Sequence, residues 1–371
     1  MKKIAVFGKS NKKNEDRIAI HPDFFHKIPE LVAKNLYFES GYGERFNISD
    51  DILSNIFGGV LNRDDLYTNC DVWLLPKPSV DDYKYFSPNK ILWGWPHCVQ
   101  GVDIAQCAID NKMTLVAWEA MFGGKDNTHI FYRNNELAGY AAVQHMMMLT
   151  GLNGYFGKKL KAAVLGFGAT ARGAINSLKS LGFNDITVYS KRDSYLINAP
   201  VESVNYKKIL IDNNKVFFEN NDIFQHPSDV LSDYDIIVNC VQQDPVNPLM
   251  FIDDNDILAI NKKTAIIDIS CDEGMSFSFA KPTTFDSPII KVNNNITYYC
   301  VDHTPSLYWD SASYEITKSI LDFIPLFIND DWLDNDILKN ALEIKDGKIV
   351  NKKIIEFQNR DSNYPYEIIK C

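Results

Sequence analysis

The sequence has no C-x-x-C pair, and its seven cysteines are an odd number. Both facts argue against a zinc site and against a disulfide framework. Cys70, Cys98, Cys107, Cys240, Cys271 and Cys300 stand beside apolar residues and read as small core residues. No apolar run approaches the length needed to span a bilayer. There is no basic stripe: 38 lysines and arginines against 48 acidic residues leave a net charge of -10, which argues against a nucleic-acid surface. Met1-Lys-Lys-Ile-Ala-Val-Phe-Gly8 enters a strand at once, leaving no room for a secretion signal. A cytoplasmic protein without membrane or nucleic-acid partners is expected. What is present is ordinary globular composition, 46% hydrophobic and 23% charged, over 371 residues. That length suffices for two domains, each with its own core.

Residues 161–192 read as strand, glycine turn, helix and strand. Lys161-Ala-Ala-Val-Leu165 is followed directly by Gly166-Phe-Gly168-Ala-Thr-Ala171, a helical pattern stopped by Gly182, and Asp185-Ile-Thr-Val-Tyr189. A G-x-G-x-x-A string is weak evidence alone, but here it has the full βαβ context. Gly166 permits the tight turn, Gly168 lets backbone amides approach a pyrophosphate, and Ala171 allows close helix–strand packing. Ala169 and Thr170 open the helix, whose free amides and positive dipole end favour phosphates. After the second strand an NAD site usually offers Asp or Glu to the ribose 2′-OH. This chain offers Ser190, Lys191 and Arg192. A hydroxyl and two cations suit a 2′-phosphate, so NADP is favoured over NAD, although Asp193 dilutes the positive field.

Before this unit, strands are expected at 3–7, 35–39, 71–75, 90–93 and 114–118, with helices at 22–32, 50–57 and 102–111. Alternating strands and helices predict a parallel sheet, with ligands off the carboxyl ends of the strands. Three reactive residues follow such strands: Arg17, Lys77 between Pro76 and Pro78, and His97 in Trp93-Gly-Trp-Pro-His-Cys-Val-Gln100. Singly, each has a bland reading as a surface charge or a core histidine. Together, after strands of one parallel sheet, they are the candidate site. A helix over 134–149 crosses to the nucleotide unit. Residues 194–233 are polar and weakly patterned, with one short strand near 215–219. Strands at 235–241, 264–270 and 296–301 follow, and Asp272 stands just past the second. A helix over 311–327 returns the chain to the first domain. The expected fold class is therefore α/β: two Rossmann-like domains with parallel sheets, the nucleotide-binding domain (134–307) inserted into the catalytic domain (1–133 and 308–371). A cleft between two such domains is where substrate is expected to meet cofactor.

Several segments resemble the alanine dehydrogenase and lysine-forming saccharopine dehydrogenase superfamily, most closely its carboxyethylornithine synthase branch. They are Lys9-Ser-Asn-Lys-Lys-Asn-Glu-Asp-Arg17, Gly94-Trp-Pro-His-Cys-Val-Gln100, Ala117-Trp-Glu-Ala-Met-Phe122, Arg133-Asn-Asn-Glu-Leu-Ala-Gly139, Val164-Leu-Gly-Phe-Gly-Ala-Thr-Ala-Arg-Gly173, Ile236-Ile-Val-Asn-Cys-Val241, Ile267-Asp-Ile-Ser-Cys-Asp272 and Val301-Asp-His-Thr-Pro-Ser306. The stretch 194–233 is longer than that branch usually carries. The resemblance implies NADPH-dependent reductive condensation of a 2-oxo acid, pyruvate in the first instance, with the amine of an ornithine- or lysine-type amino acid. It implies Arg17 as the substrate-carboxylate ligand, Lys77 and His97 as residues near the reacting carbon, and Asp272 as a residue orienting the amine or the nicotinamide ribose. Cys240 and Val241 join the glycine turn as cofactor-binding candidates, and no metal is called for. The chemistry asks for the same residue types, because passage through a carbinolamine needs groups that move protons near neutral pH. Alanine dehydrogenase-like amination, saccharopine dehydrogenase activity and a catalytically silent NADP sensor are the alternatives. Small-molecule substrates are the expected partners, and a homo-oligomer is compatible with the sequence.

Overall fold

A computed structural model describes residues 1–213, 215–244 and 247–369. The chain forms two compact units, Met1–Phe131 with the chain from Trp309 onward, and Tyr132–Tyr308. The first begins with β1 (Ile4–Val6), β2 (Leu36–Glu39), α1 (Asp50–Ile56), β3 (Gly59–Leu61) and α2 (Arg63–Asn69). It continues with β4 (Val72–Leu74), β5 (Ile91–Gly94), α3 (Val102–Asp110) and β6 (Thr114–Ala117). The second holds α4 (Tyr132–Thr150), β7 (Lys161–Leu165), α5 (Ala169–Ser180), β8 (Asp185–Ser190), β9 (Asn205–Asp212), β10 (Lys215–Asn220) and β11 (Ile223–Gln225). It ends with α6 (Pro227–Leu231), β12 (Ile236–Asn239), β13 (Thr264–Asp268), β14 (Ile289–Lys291) and β15 (Ile296–Tyr299). The chain returns to the first unit through α7 (Trp309–Ile320), α8 (Ile324–Asn329), β16 (Leu342–Lys345) and β17 (Lys348–Ile349).

In the first unit the sheet order is β17-β16-β6-β5-β4-β1-β2-β3. The strands from β6 to β3 are parallel, and β16 and β17 add an antiparallel edge. The central strands are buried on both faces, which is why they read as continuous apolar runs. Side-chain caps fix the helix starts: the Ser49 side chain accepts from Ile52 N at α1, and that of Asn62 from Asp65 N at α2. In the second unit the order is β11-β10-β9-β8-β7-β12-β13-β15-β14. Its six parallel strands, β9-β8-β7-β12-β13-β15, have the doubly wound order of a dinucleotide fold. None of the described helices is long and apolar enough to cross a membrane.

Three expectations need correction, each for a physical reason. The helix expected over 22–32 is a 3-10 turn at Pro22–Lys27 and a short helix at Glu30–Ala33, because Pro29 cannot continue the ladder. The helix expected over 311–327 breaks into α7, a 3-10 turn at Leu321–Phe323 and α8, since Pro325 has no N–H to offer residue 321. Residues 194–233 hold three strands and a helix rather than one strand. In β9 only Ile209 is buried, so the strand shows no apolar run. Between β8 and β9 the usual crossover α-helix is replaced by a loop with one 3-10 turn at Ser194–Leu196. Arg172 holds that loop by donating to Ala199 O and Asn198 O, both at 2.8 Å, and Lys179 by donating to Glu202 O at 2.6 Å.

Candidate active site

In the first unit the segments that leave β4 and β5 run side by side. Leu75 N donates to Trp93 O at 3.3 Å and Trp95 N to Pro76 O at 2.8 Å. Gly94 makes this approach possible, because a Cβ there would lie 1.9 Å from Leu75 O. Lys77 and His97 are thereby brought together, with Nζ and Nε2 2.9 Å apart. The carbonyl of Lys77 accepts from Ser10 Oγ at 2.5 Å, which ties it to the loop after β1. Asp82 is buried and gathers Ser79 N, Asn11, Tyr67 and Arg63 as donors, so the turn beyond Lys77 is fixed as well. His97 has a left-handed backbone, φ 49°, and a side chain that is 45% exposed. The pair is therefore open to a small molecule while its backbone is restrained.

The restraint at His97 comes from Glu119, a residue the sequence reading passed over. Glu119 follows β6 and accepts from His97 N through Oε1 at 2.6 Å; Oε1 also lies 3.8 Å from His97 Nδ1. Its other oxygen is enclosed and has no hydrogen-bond partner among the described residues. Although 28% of the side chain is exposed, burial of the carboxyl, with the like charge of Glu343 second, pushes it up to about 8. The positive charge of Lys77 opposes that shift. A carboxyl whose folded value lies above its ordinary 4.5 favours the fold in its protonated form. That contribution is complete below the ordinary value and is lost as pH rises through about 8. Glu119→Gln is neutral at every pH. Its melting temperature should fall less between about pH 5 and about pH 9 than that of the wild type. Equal slopes in a thermal-melt series would show that Glu119 is ionised throughout.

Arg17 is 5% exposed, so it is no surface charge. Its Nε and Nη2 bond Glu15 Oε1 and Oε2 at 2.7 and 2.5 Å, and its guanidinium lies 4.6 Å from the centre of the Trp95 ring. Its charge is already shared with Glu15, which the sequence did not suggest. Through Trp95 it stands beside the segment that carries His97.

In the second unit Gly166 adopts φ +91°, closed to most side chains, and a Cβ on it would meet Cys240 O at 3.2 Å. Around Gly168 the space for a Cβ is open, with nothing within 4 Å. Gly168 is also the N-cap of α5 and makes no side-chain cap hydrogen bond. The turn is thus a cradle fringed by backbone amides, as a pyrophosphate requires. A cavity of about 290 Å³ opens there, lined by Gly166, Gly168, Ser190, Lys191, Arg192, Cys240 and Val241 among others. Ala169, Thr170 and Ala171 form the first turn of α5, with Ala171 buried against the sheet. These residues fit a dinucleotide. Ser190 Oγ is engaged in the turn itself, donating to Arg192 O and accepting from Arg192 N, both at 3.1 Å.

Asp272 does not line that cavity; it lies beyond β13, where burial raises its carboxyl to about 6. The neighbouring Asp268, also passed over, is fully buried at the end of β13 and accepts from Asn239 Nδ2 and Tyr298 OH, each at 2.9 Å. Burial raises it to about 7. Asn239 also donates to Ser276 Oγ at 2.9 Å and accepts from Val241 N at 3.2 Å. This network locks the loop holding Cys240 and Val241 to the loop holding Asp272. An acid ending an otherwise apolar strand was the available signal for Asp268.

The family model for the alanine dehydrogenase/PNT C-terminal domain matches residues 135–352, more than half of the chain. The chain belongs to the alanine dehydrogenase/PNT family. It is 24% identical over 335 residues to the N(5)-(carboxyethyl)ornithine synthase of Clostridium botulinum, covering 83% of this chain and 90% of that protein. It is 19% identical over 355 residues to the alanine dehydrogenase of Mycolicibacterium smegmatis, covering 92% and 93%. A solved L-alanine dehydrogenase shares its fold with a TM-score of 0.74 at 15% identity, covering 96% of this chain and 98% of that one. The resemblance carried by the quoted segments is thus met, and so is the expected two-domain Rossmann-like class. As a member of the alanine dehydrogenase/PNT family the protein is an oxidoreductase dependent on a nicotinamide dinucleotide.

Proposed function

We propose that the protein condenses a 2-oxo acid, pyruvate in the first instance, with the amine of an ornithine- or lysine-type amino acid and reduces the product with NADPH to an N-(1-carboxyethyl) amino acid. The observation that carries this reading is the Lys77–His97 pair, 2.9 Å apart at the carboxyl ends of β4 and β5. Addition of an amine to a ketone carbon gives a carbinolamine, which loses water to become an imine. The amine nitrogen must shed a proton, and the departing oxygen must gain one. Two adjacent nitrogen bases, one exposed and one half-buried, suit that exchange. Arg17 serves as the carboxylate ligand of the oxo acid, sharing its charge between substrate and Glu15. Asp272, with its carboxyl held near neutrality by burial, orients the amine or the ribose. When bound, the reduced nicotinamide supplies the hydride that the imine carbon accepts. Gly166, Gly168 and the first turn of α5 hold the pyrophosphate, Cys240 and Val241 flank it, and Lys191 and Arg192 take the 2′-phosphate with Ser190 shaping their turn.

Relatives named N(5)-(carboxyethyl)ornithine synthase support this choice over plain amination, at 24% and 25% identity. The test is mass spectrometry of products from a panel of 2-oxo acids with ornithine, lysine or ammonium, each with NADPH or NADH. A secondary amine from pyruvate and ornithine or lysine, formed faster with NADPH, is the expected result. Alanine from pyruvate and ammonium as the dominant product would transfer the reading to alanine dehydrogenase chemistry. NADPH bound but never oxidised across the panel would mark a sensor.

A further inference from the structure

Lys208 lies outside every segment from which a cofactor residue was expected. It stands in β9 as the register partner of Ser190, the last residue of β8. Its Nζ is 2.6 Å from Asp193 Oδ1, with both side chains about one-third exposed. Asp193 is the first carboxylate after β8, three residues beyond the position where an NAD site presents its acid to the ribose 2′-OH. The bond between the two holds the Asp193 carboxyl below its ordinary value and the Lys208 ammonium above its own. Tyr195 OH bonds Asp193 Oδ2 at 3.3 Å, so each carboxylate oxygen carries a hydrogen bond. Among the described residues no ion pair reaches Lys191 or Arg192, and both line the cavity at the glycine turn.

We propose that Lys208 is a specificity-determining residue. By holding Asp193 in a neutral pair it withholds the first carboxylate after β8 from the ribose 2′ position and spares the charge of Lys191 and Arg192 for a 2′-phosphate. The role rests on the NADPH reading above. Removing the ammonium has opposite effects on the two cofactors: a bare Asp193 repels a 2′-phosphate and can accept a hydrogen bond from a 2′-OH. The ratio of the two affinities is therefore more sensitive than either alone. A partly exposed ion pair contributes little to the fold, so Lys208 can be replaced without unfolding the chain.

The test is fluorescence titration of the full chain with NADPH and with NADH, without substrates, for the wild type, Lys208→Met, Asp193→Asn and the double variant. Lys208→Met should move the affinity ratio toward NADH by at least about tenfold. Asp193→Asn should keep the NADPH preference, and the double variant should return to it. A ratio for Lys208→Met within about twofold of the wild type overturns the role. So does a double variant as poor for NADPH as Lys208→Met, which would make Lys208 a direct phosphate ligand. A wild type that binds NADH more tightly overturns the NADPH reading instead, while the direction of the Lys208→Met shift still decides the role of Lys208.

Discussion

Lys77→Met should lower kcat by about two to four orders of magnitude and leave NADPH affinity within about twofold of the wild type. Methionine keeps the length and apolar stem of lysine but can neither give nor take a proton. His97→Gln should do the same, since an amide can hold a hydrogen bond but does not titrate. The two side chains share one contact of 2.9 Å, so they act as a unit and their losses should not add. The double variant should be little worse than the poorer single one. Cofactor affinity serves as the internal control, because the proposed cofactor residues Gly166, Gly168, Lys191 and Arg192 belong to the second unit and neither Lys77 nor His97 does. A drop confined to KM would make the pair a binding device rather than a proton-transfer pair. Loss of NADPH binding in either variant would place the assignment in the wrong part of the molecule.

The legible parts of this molecule were those where sequence-local signals suffice. Strands such as β4, β5, β7 from Ala162 onward and β12 up to Val238 are buried on both faces, so each appears as an unbroken apolar run. The glycine turn is legible because its geometry needs particular residues in a row. Lys77 and His97, 20 residues apart, were paired by the rule that parallel sheets gather function at strand carboxyl ends. What stayed hidden depends on contacts that no window contains. Strand β9 is half-solvated and polar, and the loop before it is held by Arg172 and Lys179 from α5. Glu119 reads as an ordinary surface acid until the left-handed turn at His97 aims a backbone N–H at it. The same holds for Lys208, whose partner is set by strand register. Two prolines were legible and were read through: the apolar spacing over 22–32 and 311–327 is helical, but spacing cannot replace a missing donor.

Gly173→Ala should destabilise the protein, against the sign that helix propensity alone predicts. In an unobstructed helix interior the change would gain about 1 kcal/mol. Here α5 crosses α4 with backbone against backbone. A Cβ on Gly173 would lie 1.7 Å from Glu136 O, and one on Gly139 would lie 1.9 Å from Thr170 O. Neither neighbour is a side chain that can rotate away, so the helices must separate. Overpacking a core costs about 1–3 kcal/mol and occasionally more, and a backbone clash belongs at the upper end. For a unit of this size, a net loss of about 2 kcal/mol lowers the melting temperature by roughly 4–8 °C. Because α5 starts at the glycine turn, the displacement also reaches the proposed pyrophosphate cradle. Saturating NADPH should therefore raise the melting temperature of Gly173→Ala less than that of the wild type. Asn176→Ala, at an exposed position of the same helix, is the control and should melt at or slightly above the wild-type temperature. If Gly173→Ala melts with that control, the two helices do not meet at their glycines, and the placement of the turn on a rigid helix pair fails with them.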